Sequence, residues 1–284
     1  MDHVSPDISI ALALGGGGAR GLAHIHALAA FDELGIRPAI IAGTSIGAIA
    51  AAAYAGGMSA AEIRAYAEQR LMDRWSLFTD LVRRQNIPKS ATLPGPLKRA
   101  RRFDLQRMLG TLLPNDFPAS FADLTIPVKV VATDFFAQAE TVFDSGPLLP
   151  ALAASAAVPV LFRPVLHDGR VYIDGGTTNP IPFDLLHGRA DIVIAVDIIG
   201  DNIERTANPV SRVDVLTASS HIMQRAIVNA KRRVCEPDLM VRPEIDGVRV
   251  HEFHRIGNIL DRSAEFRDHL KRQISSLLEE SIRQ

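Results

Sequence analysis

The chain contains the stretches ISIALALGGGGARG at residues 8–21 and AIIAGTSIG at residues 39–47. In each, a short apolar run typical of a buried strand leads into a glycine-bearing turn, and an alanine-rich segment that favours a helix follows. The second turn has the pattern Gly-x-Ser-x-Gly, a sharp strand-to-helix bend that exposes the serine. If both strands belong to one parallel sheet, the two turns lie side by side. They predict a nucleophilic Ser45 next to backbone N–H groups that can hold an oxyanion.

The composition indicates one large α/β domain. A chain of 284 residues, 47% of them hydrophobic, can bury a sizeable core without a second full domain. The formal net charge of −1 argues against a general polyanion binder, so we expect no nucleic-acid partner. Cys235 is the only cysteine, which excludes a disulfide within the chain and a thiolate metal cluster.

Two features bear on localisation. The N-terminus is acidic where a secretory signal is basic. Residues 36–57 are apolar, but glycines and the polar pair Thr44-Ser45 interrupt them, so strand, turn and helix explain them better than a membrane span. We expect a cytoplasmic chain, and peripheral contact with a membrane stays open.

Strands and helices alternate along most of the chain. Beyond the first two strands, apolar and β-branched runs predict strands at 127–134, 139–143, 171–173, 191–198 and 239–241. Helices are predicted at about 45–54, 59–71, 148–157 and 213–234, with Ser59 as a helix N-cap. The alternation predicts a three-layer α/β/α fold with a mostly parallel central sheet. We expect a single domain over residues 1–284, with its core at about 8–243 and a helical region at about 251–284.

Residues 70–116 differ in composition from the rest of the chain. They contain ten lysines and arginines, only four acidic residues, four prolines and the only tryptophan, Trp75. One interpretation is a solvated helical excursion, which is what most charge runs are. The other is a cap-like insertion over the site that contacts anionic lipid headgroups of a membrane.

The glycine turn has a rival explanation, because Gly16, Gly18 and Gly21 also match the dinucleotide-binding pattern Gly-x-Gly-x-x-Gly. That function needs an acidic residue at the end of the second strand. The second strand ends at residues 42–45, Ala-Gly-Thr-Ser, without a carboxylate. Nucleotide binding is therefore weakly supported.

A nucleophilic serine needs a base, and the sequence favours a carboxylate over histidine. None of the later histidines follows a core strand in a turn setting, and His24 and His26 point in different directions on a helix, so we expect no metal pair. Asp174 ends a short strand, directly before Gly175 and Gly176. Taken alone, this pattern is more often a turn than a catalytic site.

Taken together, the motifs at residues 16–21, 43–47 and 174–176 resemble, in the same order, the three motifs of the patatin-like phospholipase family. Residues 154–159 and 238–243 are also similar to that family. The resemblance covers roughly residues 8–243 and is closest to the compact bacterial single-domain branch.

The resemblance implies a serine acyl-ester hydrolase of lipids with a Ser-Asp dyad, in which Ser45 is the nucleophile and Asp174 the general base and acid. The N–H groups of Gly16, Gly17 and Gly18 would form the oxyanion hole, and no metal or other cofactor is implied. The supporting motif positions are Arg20, Gly21, Gly43, Gly47, Gly175 and Gly176. Arg20 either braces the glycine loop, meets a phosphate or forms a surface salt bridge. We also expect a partly desolvated Asp174.

Two other functions stay open at this point. The fold could serve a regulatory protein that only binds acyl ligands in the pocket, or it could transfer the acyl group to an acceptor other than water.

Overall fold

The computed structural model describes residues 8–70, 104–159, 161–199, 212–245, 247–248 and 252–283. The middle of the predicted cap-like insertion, residues 71–103, lies outside the described residues.

Within the described residues the chain forms eight strands and eight α-helices. The strands are β1 (Ile10–Leu14), β2 (Ile40–Thr44), β3 (Val128–Asp134), β4 (Ala139–Phe143), β5 (Val165–His167), β6 (Arg170–Asp174), β7 (Ile192–Val196) and β8 (Leu239–Val241). The helices are α1 (His24–Leu34), α2 (Ile46–Ala55), α3 (residues 60–70), α4 (Leu105–Leu112), α5 (Leu148–Ser155), α6 (Arg212–Arg232), α7 (Ile256–Arg262) and α8 (Ala264–Arg283).

The strands form one mixed, mostly parallel sheet in the order β5-β6-β3-β2-β1-β7-β8, with β4 also paired to β3. β1, β2, β3, β7 and β8 are parallel to one another, whereas β4, β5 and β6 join in antiparallel pairs. The predicted fold class is confirmed.

The side chains of β1 alternate between the two faces of the sheet, because successive residues of a strand point to opposite sides. Ile10, Leu12 and Leu14 pack in the larger core, which includes residues of α1, α2, α5, α7 and α8. Ala11 and Ala13 face a smaller core that contains Ile181, Phe183 and Val228, the last from α6. We call these the α1/α2 face and the α6 face.

The pairing of β3 brings the ends of two distant strands together. Val130 pairs with Gly43 of β2 and with Phe143 of β4, so β2 and β4 lie on opposite edges of β3. Ala132 pairs with Asp174 of β6 and with Thr141 of β4, so β6 shares the β2 edge. Thr44 pairs with Val131, one residue before Ala132. The end of β6 therefore meets the end of β2 on one edge.

The structure and the sequence prediction differ chiefly in one hairpin. Strand β5 and its hairpin with β6 were not predicted, although Asp168-Gly169 connects the two strands with positive φ at both residues, which is the signature of a tight hairpin turn. The predicted C-terminal helical region is a short 3₁₀ turn followed by α7 and α8.

Two smaller predictions are confirmed. Ser59 caps α3, because its hydroxyl accepts from the Glu62 N–H and the Glu62 carboxylate accepts from the Ser59 N–H. Residues 36–57 include β2 and α2, and none of the helices described is both long and apolar enough to cross a bilayer.

We expect Gly47→Ala to destabilise the fold, because a Cβ at this position would lie 2.2 Å from the Leu14 carbonyl oxygen and 2.6 Å from that of Gly15. Backbone atoms of a central strand cannot move aside cheaply, so the free energy of unfolding should fall by roughly 1–3 kcal/mol or more. Urea denaturation measures it.

Gly257→Ala is the matched control, because a Cβ there meets no atom of the described residues within 4 Å and the residue lies in α7. This variant should gain about 0.5–1 kcal/mol. Equal stability of the two variants would contradict the close approach of α2 to β1.

Candidate active site

Ser45 occupies a strained bend between β2 and α2. It is 5% exposed and has φ 56° and ψ −123°, a backbone conformation that non-glycine residues rarely adopt. Its N–H donates to the Ser155 hydroxyl at 2.8 Å, and its carbonyl accepts from the N–H of Ala48 at 3.0 Å. The serine thus starts a helix, whose N-terminal dipole favours negative charge nearby.

The glycine turn after β1 lies directly beside Ser45. A Cβ on Gly16 would lie 3.4 Å from the Ser45 Cβ, so the two backbones approach closely. The Gly16 N–H, however, donates to the Pro180 carbonyl at 2.9 Å, and the Gly15 N–H donates to that of Val196 at 3.1 Å. The predicted oxyanion role of the Gly16 N–H is therefore corrected, and the N–H groups of Gly17 and Gly18 remain as candidates.

Two side chains fix the peptides of this turn. The His24 Nε2 donates to the Gly15 carbonyl at 2.8 Å, and burial lowers the pKa of His24 to about 4, so its ring is neutral. The Arg20 Nε approaches the Gly17 carbonyl at 3.4 Å. Because the carbonyl and the following N–H of a trans peptide point in opposite directions, the contact with Arg20 also orients the Gly18 N–H.

Arg20 is only 5% exposed, and its contact with the Gly17 carbonyl supports bracing of the loop. Its guanidinium also lies 3.0 Å from the His221 Nε2 of α6. Burial and the nearby Arg20 and Arg225 lower the pKa of His221 to about 4, so this ring is neutral and accepts from Arg20.

Asp174 is the buried carboxylate at the end of β6, 6% exposed. Its Oδ1 accepts from the Gly176 N–H at 2.7 Å, whereas its Oδ2 is buried and has no hydrogen-bond partner among the residues that the structure describes. Burial raises the pKa of Asp174 to about 6, and the Ser45 hydroxyl and the Gly176 N–H act against that rise. The Ser45 side chain is thus close enough to affect the carboxylate without a standard hydrogen bond to Oδ2, and catalytic contacts are often loose before substrate binds.

Residues 175–180 tie the three turns together. The Asn179 carbonyl accepts from the Thr44 hydroxyl at 2.8 Å, and the Asn179 N–H donates to the Gly175 carbonyl at 2.8 Å. The main-chain carbonyl of Asp174 accepts from the Thr133 hydroxyl of β3 at 3.0 Å. The residues flanking Ser45 and Asp174 are therefore held by direct bonds.

An apolar cavity of about 190 Å³ opens beside Ser45 on the α1/α2 face. Gly18 and Ser45 contribute to its wall, and the rest is mostly apolar side chains such as Ile49 of α2, Ile63 of α3 and Leu109 of α4. Arg70 and residues of α4 come from the two ends of the predicted cap-like insertion, so the described ends of that segment do border the site.

Among the residues that the structure describes, no group of three or more His, Cys, Asp or Glu side chains is arranged to hold a metal ion. His24 and His26 bond to different carbonyls, those of Gly15 and Leu260, so they do not form a metal pair.

Sequence reasoning gave no role to Ser155, Asn179 or His24. Ser155 lies within residues 154–159, which are similar to the family, but the bonding partners of both residues are distant in sequence: 110 residues separate Ser155 from Ser45, and 135 separate Asn179 from Thr44. No local pattern signals such contacts.

The strand, Gly-x-Ser-x-Gly bend and helix on a mostly parallel sheet define an α/β protein that carries a serine on a sharp strand-to-helix turn. Residues 12–187 match the model of the family described as patatin-like phospholipase. The chain belongs to the patatin-like phospholipase family.

Curated relatives share about a third of their residues with this chain. The uncharacterized NTE family protein Rv1063c of Mycobacterium tuberculosis is 35% identical over 197 residues, which cover 67% of this chain and 49% of the relative. Patatin-like phospholipase domain-containing protein 7 of Rattus norvegicus is 33% identical over 194 residues, 67% of this chain and 14% of the relative. The chain spans about half the length of the first relative and much less of the second.

Among solved structures, VipD from Legionella pneumophila is similar over 91% of this chain and 67% of its own, with 16% sequence identity and a TM-score of 0.43.

We expect Asp174→Asn to stabilise the fold at neutral and alkaline pH. Because the pKa of about 6 in the folded chain lies above the ordinary value of 3.8, the folded state holds this proton more tightly than the unfolded chain. The protonated Asp174 therefore stabilises the folded state. This contribution is fully present below about pH 4 and is lost as the pH rises through about 6. Asparagine keeps an acceptor for the Gly176 N–H and cannot ionise, so the gain should be roughly 1–3 kcal/mol near pH 8 and absent near pH 4.

Urea denaturation across this pH range measures the difference. Asp168→Asn is the control, because the Asp168 side chain is 86% exposed and its substitution should change little at either pH. A constant difference between the Asp174 variant and the wild type at all pH values would contradict the raised pKa.

Proposed function

We propose that the protein is a serine acyl-ester hydrolase of lipids, of the phospholipase A, lysophospholipase or esterase type, and that Ser45 and Asp174 form its catalytic dyad. The observation that carries this proposal is the buried Asp174 carboxylate, with its free Oδ2 and raised pKa, beside a serine on a strained elbow. Membership of the patatin-like phospholipase family supports the lipid substrate.

In the proposed first step the Ser45 Oγ attacks the ester carbonyl carbon and its proton passes to Asp174. Negative charge develops on the carbonyl oxygen, where the N–H groups of Gly17 and Gly18 and the N-terminus of α2 stabilise it. The carbon–oxygen bond to the leaving alcohol breaks, and the alcohol takes the proton from Asp174. An acyl ester of Ser45 remains.

In the second step Asp174 accepts a proton from water, and the resulting hydroxide attacks the acyl ester. The Asp174 proton returns to the Ser45 Oγ as the fatty acid leaves, so the site is regenerated. A pKa of about 6 suits this alternation, because the carboxylate is ionised at pH 7 yet is a stronger base than an ordinary aspartate.

The apolar cavity is the proposed acyl-chain site. It begins at Ser45 and Gly18 and continues between α2, α3 and α4, so a chain lying in it would present its ester carbon to the Ser45 hydroxyl.

We expect Ser45→Ala and Asp174→Asn each to lower kcat for a p-nitrophenyl acyl ester by at least about 1000-fold, because each removes one partner of the same proton transfer. Circular dichroism should show an intact fold in both variants. Ser276→Ala, an exposed serine on α8, is the matched control and should keep full activity. Undiminished hydrolysis in either dyad variant would overturn the proposal.

The pH dependence and chemical labelling test the same assignment separately. Because only the ionised carboxylate accepts the serine proton, kcat/KM should rise with pH through about 6. A fluorophosphonate should attach at Ser45 in the wild type and not in Ser45→Ala. Acyl-ligand binding without labelling would favour a non-catalytic acyl-binding protein, and an acyl ester formed with an added alcohol would favour acyl transfer.

The cavity predicts a preference for chain length. Each additional methylene that enters it should raise kcat/KM about fourfold, since burial of one methylene contributes about 0.8 kcal/mol. The gain should stop at a chain length at which the cavity is full, and Ile49→Phe should move that limit to shorter chains because Ile49 lines the wall. A series of p-nitrophenyl esters measures this, and an unchanged limit in Ile49→Phe would contradict the assignment.

A further inference from the structure

A half-buried lysine on the α6 face has no part in the chemistry proposed above. Lys231 lies in the last turn of α6, and its side chain is only 18% exposed. Its ammonium donates to the Ile181 carbonyl at 2.9 Å and also contacts the Asn179 Oδ1 and the Asp184 carboxylate. It lies 4.5 Å from the centre of the Phe183 ring. All four partners belong to residues 179–184, which we call the bracing segment.

The bracing segment contacts all three turns of the candidate site. The Asn179 carbonyl accepts from the hydroxyl of Thr44, the residue before Ser45. The Asn179 N–H donates to the carbonyl of Gly175, the residue after Asp174. The Pro180 carbonyl accepts from the Gly16 N–H of the glycine turn. Two consecutive residues thus connect nucleophile, base and glycine turn.

A lysine suits this position because an ammonium has three N–H donors, and here it meets three acceptors in one segment: an amide oxygen, a carbonyl and a carboxylate. Burying a cation costs free energy unless its charge is paired. The paired ammonium therefore holds the bracing segment to α6 more firmly than a neutral contact would. Burial lowers the pKa of Lys231, and the Asp184 carboxylate acts against this.

We propose that Lys231 is a positioning residue for the Ser45–Asp174 pair, acting through the bracing segment. This inference rests on the proposed function. Without the ammonium, Asn179 and Asp184 keep their direct bond at 3.0 Å, but the bracing segment loses its tie to α6. The segment then holds the backbone on either side of the reacting groups less firmly. The acyl cavity lies on the α1/α2 face, so the loss affects the alignment of the dyad and leaves substrate binding intact.

The test is Lys231→Met, which keeps the length of the side chain and removes its charge. We expect kcat for a p-nitrophenyl acyl ester to fall by roughly 10- to 100-fold, because small displacements of reacting groups cost rates of this order. KM should stay unchanged, and the rate of fluorophosphonate labelling at Ser45 should fall in parallel with kcat. A merely structural role would lower the amount of active protein, measured by titration of Ser45, and would leave the rate per active site unchanged.

Arg232→Met is the matched control. It removes a cation from the next position of α6. The Arg232 side chain is 44% exposed and pairs with Glu236, four residues further along the chain. This variant should keep the wild-type kcat. An equal loss in both variants would overturn the proposal, as would a wild-type kcat in Lys231→Met.

Two further variants decide the matter if Lys231→Met fails to fold. Lys231→Gln keeps a polar group for the bracing segment, and Asp184→Asn weakens the same contact from its partner's side; both should lower kcat at constant KM, and wild-type kcat in both would overturn the proposal. Failure of the proposed function gives a different result, since the wild type itself would then neither hydrolyse the ester nor label at Ser45.

Discussion

The shared edge of β3 is the constraint on which the rest of the site depends. β2 runs parallel to β3 and β6 runs antiparallel to it, and both use the same edge, one after the other. Thr44 and Asp174 consequently pair with consecutive residues of β3. Because the backbone register fixes the ends of β2 and β6, Ser45 and Asp174 lie close together although they are distant in the sequence. Neither residue depends on a long loop for its position. Strands hold such groups more precisely than loops do.

Main-chain bonds and buried polar side chains stabilise a bend that is unfavourable by itself. A non-glycine residue with positive φ costs of order 1–3 kcal/mol. The bond from the Ser45 N–H to Ser155, the bond from Thr44 to Asn179 and the packing of α2 against β1 offset that cost. Ser155 is fully buried, and its hydroxyl accepts a hydrogen bond from the Ser45 N–H, which has no partner within α2.

Local patterns were enough to predict the first two strands, the elbow, most other elements and the fold class, because alternation, glycine turns and capping residues act over a few residues. The prediction that Asp174 is the base rested on the order of the three motifs. Its own sequence neighbours are more typical of a turn. The engaged Gly16 N–H, the Ser155 bond and the Lys231 contacts join residues 47 or more apart in the sequence, which only the fold brings near. The hairpin of β5 and β6 is a different case, because its Asp-Gly turn was visible in the sequence.

The division of the site between two faces of the sheet has a consequence for how such a protein can diverge. The cavity wall comes from α2, α3 and α4, while the bracing segment and α6 lie across the sheet. Substitutions among the apolar side chains of these helices therefore reshape the wall without removing a hydrogen bond of Ser45 or Asp174. A lineage can reshape the cavity by single steps on one side of the sheet, while the contacts that position Ser45 and Asp174 are selected separately on the other.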